Sequence, residues 1–286
     1  KLLNGSGSNA AAAADAKNGP EMSNNDNHGV EGHDDDTSNT NVVHEFKFSS
    51  TRDTLLQIRE LPIANPDNPF GQTAAQDTTG YSIWCASLVM ARWMATKEDE
   101  MKGKKVIELG AGCGVPGLAA AMFGAPSSTY LTDLNPTTIR NLKHNVSINE
   151  KHLRSSDSVV EVCAMDWEDK TTWPSDSVDV VIGSDLIYQS SIVPLLMATV
   201  KGLLEKNSGG TFYYVAPEGG RDGLDDFIQQ MGTTTSNGND GFELESKQAP
   251  DEYKQNPLSS QDDEECFLHF HELSSTNYML HTFRKR

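Results

Sequence analysis

The chain has 286 residues, with 41 acidic against 23 basic side chains and a formal net charge of -18. That length suits one large domain or two small ones. The acidic balance repels phosphate backbones, so nucleic acid is a poor expected partner. No apolar run reaches the ~20 residues that span a bilayer, so no membrane partner is expected. The four cysteines, Cys85, Cys113, Cys163 and Cys266, show no CxxC pairing. They read as reduced thiols of an intracellular protein, expected in the cytoplasm with the nucleus as the alternative, and neither a disulfide frame nor a metal site is expected. The first residue is Lys1 rather than Met, so the natural start is expected to lie further upstream.

In chain order, residues 1–45 are rich in Asn, Ser, Gly, Ala and Asp and offer almost nothing to bury. Such a stretch cannot offset its ordering entropy, and it reads as a disordered acidic tail. His28 and His33 beside Asp34, Asp35 and Asp36 belong to that solvated tail rather than to a metal site. A folded domain is expected over 46–286. "EFKFSS" and "LLQIREL" read as a lead-in hairpin, and "PIANPDNPFGQ" as a turn-rich loop. "SIWCASLVMARWM" carries Ile83, Ala86, Leu88, Met90, Ala91 and Met94 at helical spacing.

Strand-like and helix-like segments then alternate. The strands are "KKVIEL", "STYLTD", "VVEVCAMD", "VDVVIGSD" and "GTFYYVAP". The helices are "GVPGLAAAMFG", "PTTIRNLKHNVSIN", "SSIVPLLMATVKGLLEK" and "GLDDFIQQMG", and a polar turn follows the third strand. Repeated βα units with β-branched strands predict an α/β fold. Its Rossmann-like, doubly wound, mostly parallel sheet would carry helices on both faces. "FELESK", "CFLHFHEL" and "YMLHTFRKR" read as strands of an antiparallel ending, and "QAPDEYKQNPLSSQDDEE" (248–265) as a mobile polar insertion.

The turn "GAGCGVPG" holds Gly110, Gly112, Gly114 and Gly117 between a strand and a helix. Without side chains in the way, a ligand can approach that backbone closely and meet the free N–H groups of the helix start. A second strand ends in Asp133, about twenty residues on, where a carboxylate can take the two hydroxyls of a ribose. That ribose fits NAD or S-adenosylmethionine equally. Asp166 and Trp167 follow the third strand of the series, where an acid and a flat ring suit the amine and face of an adenine.

Ligands of open α/β sheets bind beyond the carboxyl ends of the strands. The fourth strand of the series ends in "IGSDLIYQSS", which places Ser184 and Asp185 there, with Tyr188 three residues on. A helical turn beginning there would put Asp185 and Tyr188 on one face, able to hold an amine. The plainer reading is a helix cap plus a half-buried tyrosine.

"ELGAGCG" resembles the first signature of the seven-strand S-adenosylmethionine-dependent methyltransferases. "TGYSIWCASLVMARWM", "YLTDLNP", "MDWED" and "VDVVIGSDLIYQ" follow it in the order of one group within them. The chain from about Phe46 onward resembles the eukaryotic protein-lysine methyltransferases marked by an Asp-x-x-Tyr element. The resemblance implies seven strands with an antiparallel C-terminal strand, S-adenosylmethionine as cofactor, and a lysine side chain of a protein partner as substrate. It implies cofactor contacts from Trp84, Gly110, Ala111, Gly112, Asp133, Asp166, Trp167 and Ser184, with Asp185 and Tyr188 serving catalysis. Cys85 stands where many relatives carry proline, and the 251–265 insertion is long for the group. A small-molecule or RNA N-methyltransferase on the same fold and a non-catalytic cofactor-binding scaffold remain the alternatives.

Overall fold

A computed structural model describes residues 42–63, 65, 69–71, 73, 76–153, 158–232, 241–259 and 270–286. Two strands come first: β1 (Val42–Phe46) and β2 (Leu56–Glu60) pair antiparallel, from Val42 opposite Glu60 to Phe46 opposite Leu56. The ordered domain thus begins at Val42 rather than Phe46. Residues 42–45, assigned from composition to the tail, lie in a strand and bury His44. The rest of the expected tail, His28 and His33 included, lies outside the described residues.

Helices α1 (Cys85–Met94) and α2 (Glu98–Met101) lead into β3 (Lys105–Glu108), α3 (Val115–Phe123) and β4 (Ser128–Asp133). Next come α4 (Pro136–Ile148), α5 (Glu150–Leu153), β5 (Val159–Ala164) and β6 (Val180–Ser184). The chain continues through α6 (Val193–Leu203), β7 (Thr211–Pro217), α7 (Leu224–Gly232), β8 (Phe242–Gln248), α8 (Phe270–Ser275) and β9 (Tyr278–Lys285). The main sheet has seven strands in the order β5-β4-β3-β6-β7-β9-β8. The first five run parallel, and β9 pairs antiparallel with both β7 and β8. The expected doubly wound sheet with its antiparallel C-terminal strand is present.

Two apolar cores flank the sheet. Leu88, Met90, Leu118, Phe123 and Leu142 pack on one face with α1, α3 and α4, and the hairpin residues Phe46, Leu56 and Ile58 join them. Leu196, Val200, Phe212, Phe227 and Phe283 fill the other, under α6 and α7. Sheets covered on both faces are expected of βα crossovers, because each helix buries one apolar stripe. No helix of the described residues is long and apolar enough to cross a membrane.

Helix α4 is set by its N-terminus. The Asn135 side chain accepts hydrogen bonds from Thr137 N (2.8 Å) and Thr138 N (3.1 Å), and Pro136 fills the first helical position. One face of α4 carries Asn141 and Asn145, and Asn149 caps its C-terminus at the same four-residue spacing. Their amides act as a substitute strand for the edge of β2. Asn149 Oδ1 accepts from Gln57 N (2.9 Å) while its Nδ2 donates to Gln57 O (2.6 Å). Asn145 Oδ1 accepts from Arg59 N at 2.9 Å, and Nδ2 of Asn141 donates to Arg59 O at 3.0 Å.

Two further expectations change. The strand expected over "CFLHFHEL" is helical where described, at Phe270–Ser275, and residues 266–269 lie outside the described part. That helix places only Leu273 in the core. The polar insertion is also docked in its first half rather than mobile. Asp251–Lys254 form a 3-10 turn, Leu258 bridges Phe46, Lys47 N donates to Pro257 O (2.7 Å) and Ser259 N to Glu45 O (2.9 Å). Residues 260–265 lie outside the described part.

Candidate active site

At the carboxyl ends of β3, β4, β5 and β6 lies a cavity of about 600 Å³, within the usual range for small-ligand sites. The turn after β3 forms its floor. Gly110, Gly112 and Gly114 have φ of +55, +53 and +82°, a region that side chains with a Cβ enter only at a cost. A Cβ on Gly112 would stand 3.4 Å from Gly80 Cα, across the cradle. The loop is tied down by Ala111 N donating to Thr132 O (2.8 Å) and by Gly114 N to Ala111 O (2.7 Å).

Glu108, at the end of β3, holds the helix behind that turn. Its buried carboxylate accepts from Gly117 N at 3.0 Å, and burial pushes its carboxyl well above the usual range. Gly117 is required there because a Cβ would collide with that carboxylate and with Leu131. The fourth glycine of the run therefore serves close packing of helix on strand, not ligand approach.

Asp133 closes β4. Its Oδ2 accepts from Gly112 N (3.0 Å) and its Oδ1 from Leu134 N (2.8 Å) and Asn135 N (3.2 Å). Burial raises its carboxyl above the usual value, and those three backbone donors oppose the shift. Asp166 and Trp167 follow β5 on the cavity wall. Asp166 Oδ1 accepts from Glu168 N (2.9 Å), and Trp173 Nε1 donates to Asp166 O (2.9 Å), which fixes the turn. Trp84 also lines the cavity, its indole N–H donating to Thr79 O at 2.8 Å.

Strand β6 delivers Ser184 and Asp185 to the same cavity, and Tyr188 follows. The expected helical turn at 185–188 is not formed; helical geometry starts only at Ser190. Asp185 instead adopts φ +49°, an uncommon conformation for a residue with a Cβ, while its N–H still bonds Val215 O at 2.8 Å. Tyr188 is 38% exposed and stacks on Phe70, with ring centroids 4.7 Å apart. Burial raises its phenol above the ordinary value.

All ten residues singled out from the sequence border this one cavity. Phe70, Asp77 and Arg221 also border it and were missed. Arg221 binds Asp185 through two parallel hydrogen bonds of 2.7 and 2.6 Å. A signal for it existed: "EGGRDG" directly follows β7, beside β6, where ligand-contacting loops of such sheets lie.

A glycine cradle, an acid at the end of the neighbouring strand and an aromatic wall at the carboxyl ends of a doubly wound sheet define a nucleoside-cofactor-binding α/β protein. The profile of the family described as lysine methyltransferase matches residues 70–234, and the chain belongs to that family. It is similar to EEF1A lysine methyltransferase 3 of Xenopus tropicalis, 37% identical over 122 residues, 42% of this chain and 51% of that protein. It is also similar to EEF1A lysine methyltransferase 3 of Mus musculus, at 31% over 150 residues, 52% of this chain and 60% of that protein. Protein N-lysine methyltransferase METTL21A of Danio rerio is 33% identical over 130 residues, 45% of this chain and 56% of its own length. The chain spans between half and three-fifths of these relatives. The family implies S-adenosylmethionine as methyl donor, and the side-chain-free cradle at Gly110 and Gly112 fits it.

Proposed function

We propose that the chain is an S-adenosylmethionine-dependent N-methyltransferase acting on a lysine side chain of a protein. The observation that carries this reading is one cavity bordered by both the glycine cradle with Asp133 and the Asp185–Tyr188 element. The donor supplies an activated methyl group when bound. Gly110, Ala111 and Gly112 would hold it through backbone, Asp133 at its ribose, and Trp167, Asp166, Trp84 and Ser184 around its remaining surface.

A lysine ammonium has a pKa near 10.4 and must lose a proton before it can attack. Asp185 and Tyr188 orient the amine at the mouth, and water carries the proton away. Asp185 is a poor direct base for an ammonium, because an ordinary carboxylate is far too weak. The names of the relatives support a protein substrate. Asp185→Asn should lower turnover about tenfold or more while S-adenosylmethionine affinity, read by calorimetry, changes by less than about threefold. Unchanged turnover would remove Asp185 from the site, and NADH binding in place of S-adenosylmethionine would remove the cofactor.

A further inference from the structure

The acceptor end of the cavity carries a cation of the protein's own. Arg221 Nε–H donates to Asp185 Oδ1 at 2.7 Å and Nη2–H to Oδ2 at 2.6 Å, so a planar fork occupies both oxygens. Their side chains are 28% and 11% exposed, which leaves the pair only weakly screened. Among the described residues bordering the cavity, Arg221 is the one arginine, lysine or histidine.

The surrounding groups do not duplicate its charge. Tyr214 of β7 faces the pair, and its hydroxyl accepts from Ile187 N at 3.3 Å. Tyr278 of β9 and Cys85 of α1 face Asp185, and burial drives both upward, Cys85 to about 12, so both stay uncharged. Burial likewise keeps Tyr214 uncharged. Glu272 of α8 faces Arg221 from an exposed, water-screened position. Asp77, Asp133, Asp166 and Glu168 add only negative charge around the cavity.

A bare half-buried carboxylate at the acceptor position would be an obstacle. Opposite charge at close range favours the protonated amine. An ammonium has no lone pair with which to attack a methyl carbon. A carboxylate already paired with a guanidinium is close to neutral and still offers lone pairs to an N–H.

We propose that Arg221 neutralises Asp185 so that the cavity receives the acceptor amine as the free base rather than as the ammonium. This rests on the lysine N-methylation reading above. The ammonium gives one proton to water. The amine lone pair then forms the new N–C bond as the C–S bond of the donor breaks, and that electron pair stays on sulfur. The methylated ammonium releases its surplus proton to solvent. Arg221 touches neither reacting atom; it is a positioning residue that acts through Asp185.

The test compares wild type, Arg221→Met and Arg221→Lys in two arms. The first titrates n-butylamine by calorimetry from pH 6 to 10 with S-adenosylhomocysteine present, and needs no turnover. Wild type and the Lys variant should bind total amine more tightly as pH rises. The Met variant should bind about tenfold more tightly than wild type at pH 7, with an affinity that no longer rises toward pH 10. The second arm follows kcat against pH on a protein that wild type methylates. The acid limb should move up by about one pH unit in the Met variant and return in the Lys variant. A Met variant with the wild-type pH dependence for n-butylamine, or n-butylamine that binds none of the three proteins, overturns the proposal. A uniform fall in kcat with an unmoved profile overturns it as well. If wild type methylates no protein, the lysine reading fails while the n-butylamine arm still decides the role of Arg221.

Discussion

Gly112 shows how much one side chain would cost at this site. Its φ of +53° penalises any residue with a Cβ by about 1–2 kcal/mol, and that Cβ would point across the cradle toward Gly80. Gly112→Ala should therefore weaken S-adenosylmethionine binding about tenfold or more with an unchanged circular dichroism spectrum. Wild-type affinity would show that the ligand does not approach there. Asp133 and Trp167 were legible in the sequence because Asp133 ends a strand about twenty residues beyond that turn and Trp167 closely follows the next strand of the series. Arg221 and Phe70 were not. Arg221 lies 36 residues beyond Asp185 and reaches it because β7 pairs with β6, while Phe70 stacks on Tyr188 from a loop before the first helix.

Among the elements, the lead-in hairpin depends on α4. Asn145 serves β2 and the glycine turn together: Oδ1 takes Arg59 N, and Nδ2 reaches both Arg59 O (3.2 Å) and Cys113 O (2.9 Å). Its side chain is fully buried, so truncation strands several backbone groups at about 1–3 kcal/mol each. Asn145→Ala should lower stability to urea by about that amount or more and weaken cofactor binding in parallel. Full cofactor affinity would show that hairpin and turn are independent. The asparagine spacing was visible in the sequence, but its use was not, because polar residues on a helix face ordinarily point to water. The strand pair β8–β9 holds a second buried polar group. His281 Nδ1 meets Ser246 Oγ at 2.8 Å, and burial lowers the imidazole to about 4. An unfolded imidazole titrates near 6.5, so between these values the unfolded chain binds more protons and stability falls as pH falls. The melting temperature should drop from pH 7 to pH 5 more steeply in wild type than in His281→Gln; parallel slopes would contradict this.

For the whole molecule, the alternation of strands and helices already implied the parallel sheet, since a crossover helix is what parallel neighbours require. The antiparallel C-terminal strand was expected too. The helix Phe270–Ser275 was misread because six residues show too little periodicity to separate helix from strand. The charge of -18 bears on partners. An acidic surface steers basic surfaces toward a cavity bordered by Asp77, Asp133, Asp166 and Glu168, and salt screens that attraction. KM for a basic lysine-bearing protein should rise several-fold between about 50 and 500 mM salt, with kcat little changed. A salt-independent KM would place recognition in apolar contacts.

The central claim is methyl transfer to lysine, and one experiment reads it directly. The purified protein is incubated with S-adenosylmethionine carrying a labelled methyl group and a cell lysate, and labelled material is sorted into protein, RNA and small molecules. Mass spectrometry of the labelled protein should place the methyl group on a lysine Nζ, and Asp185→Asn should slow its transfer about tenfold or more. Label confined to RNA or small molecules, or tight cofactor binding with no label transferred, would contradict the account.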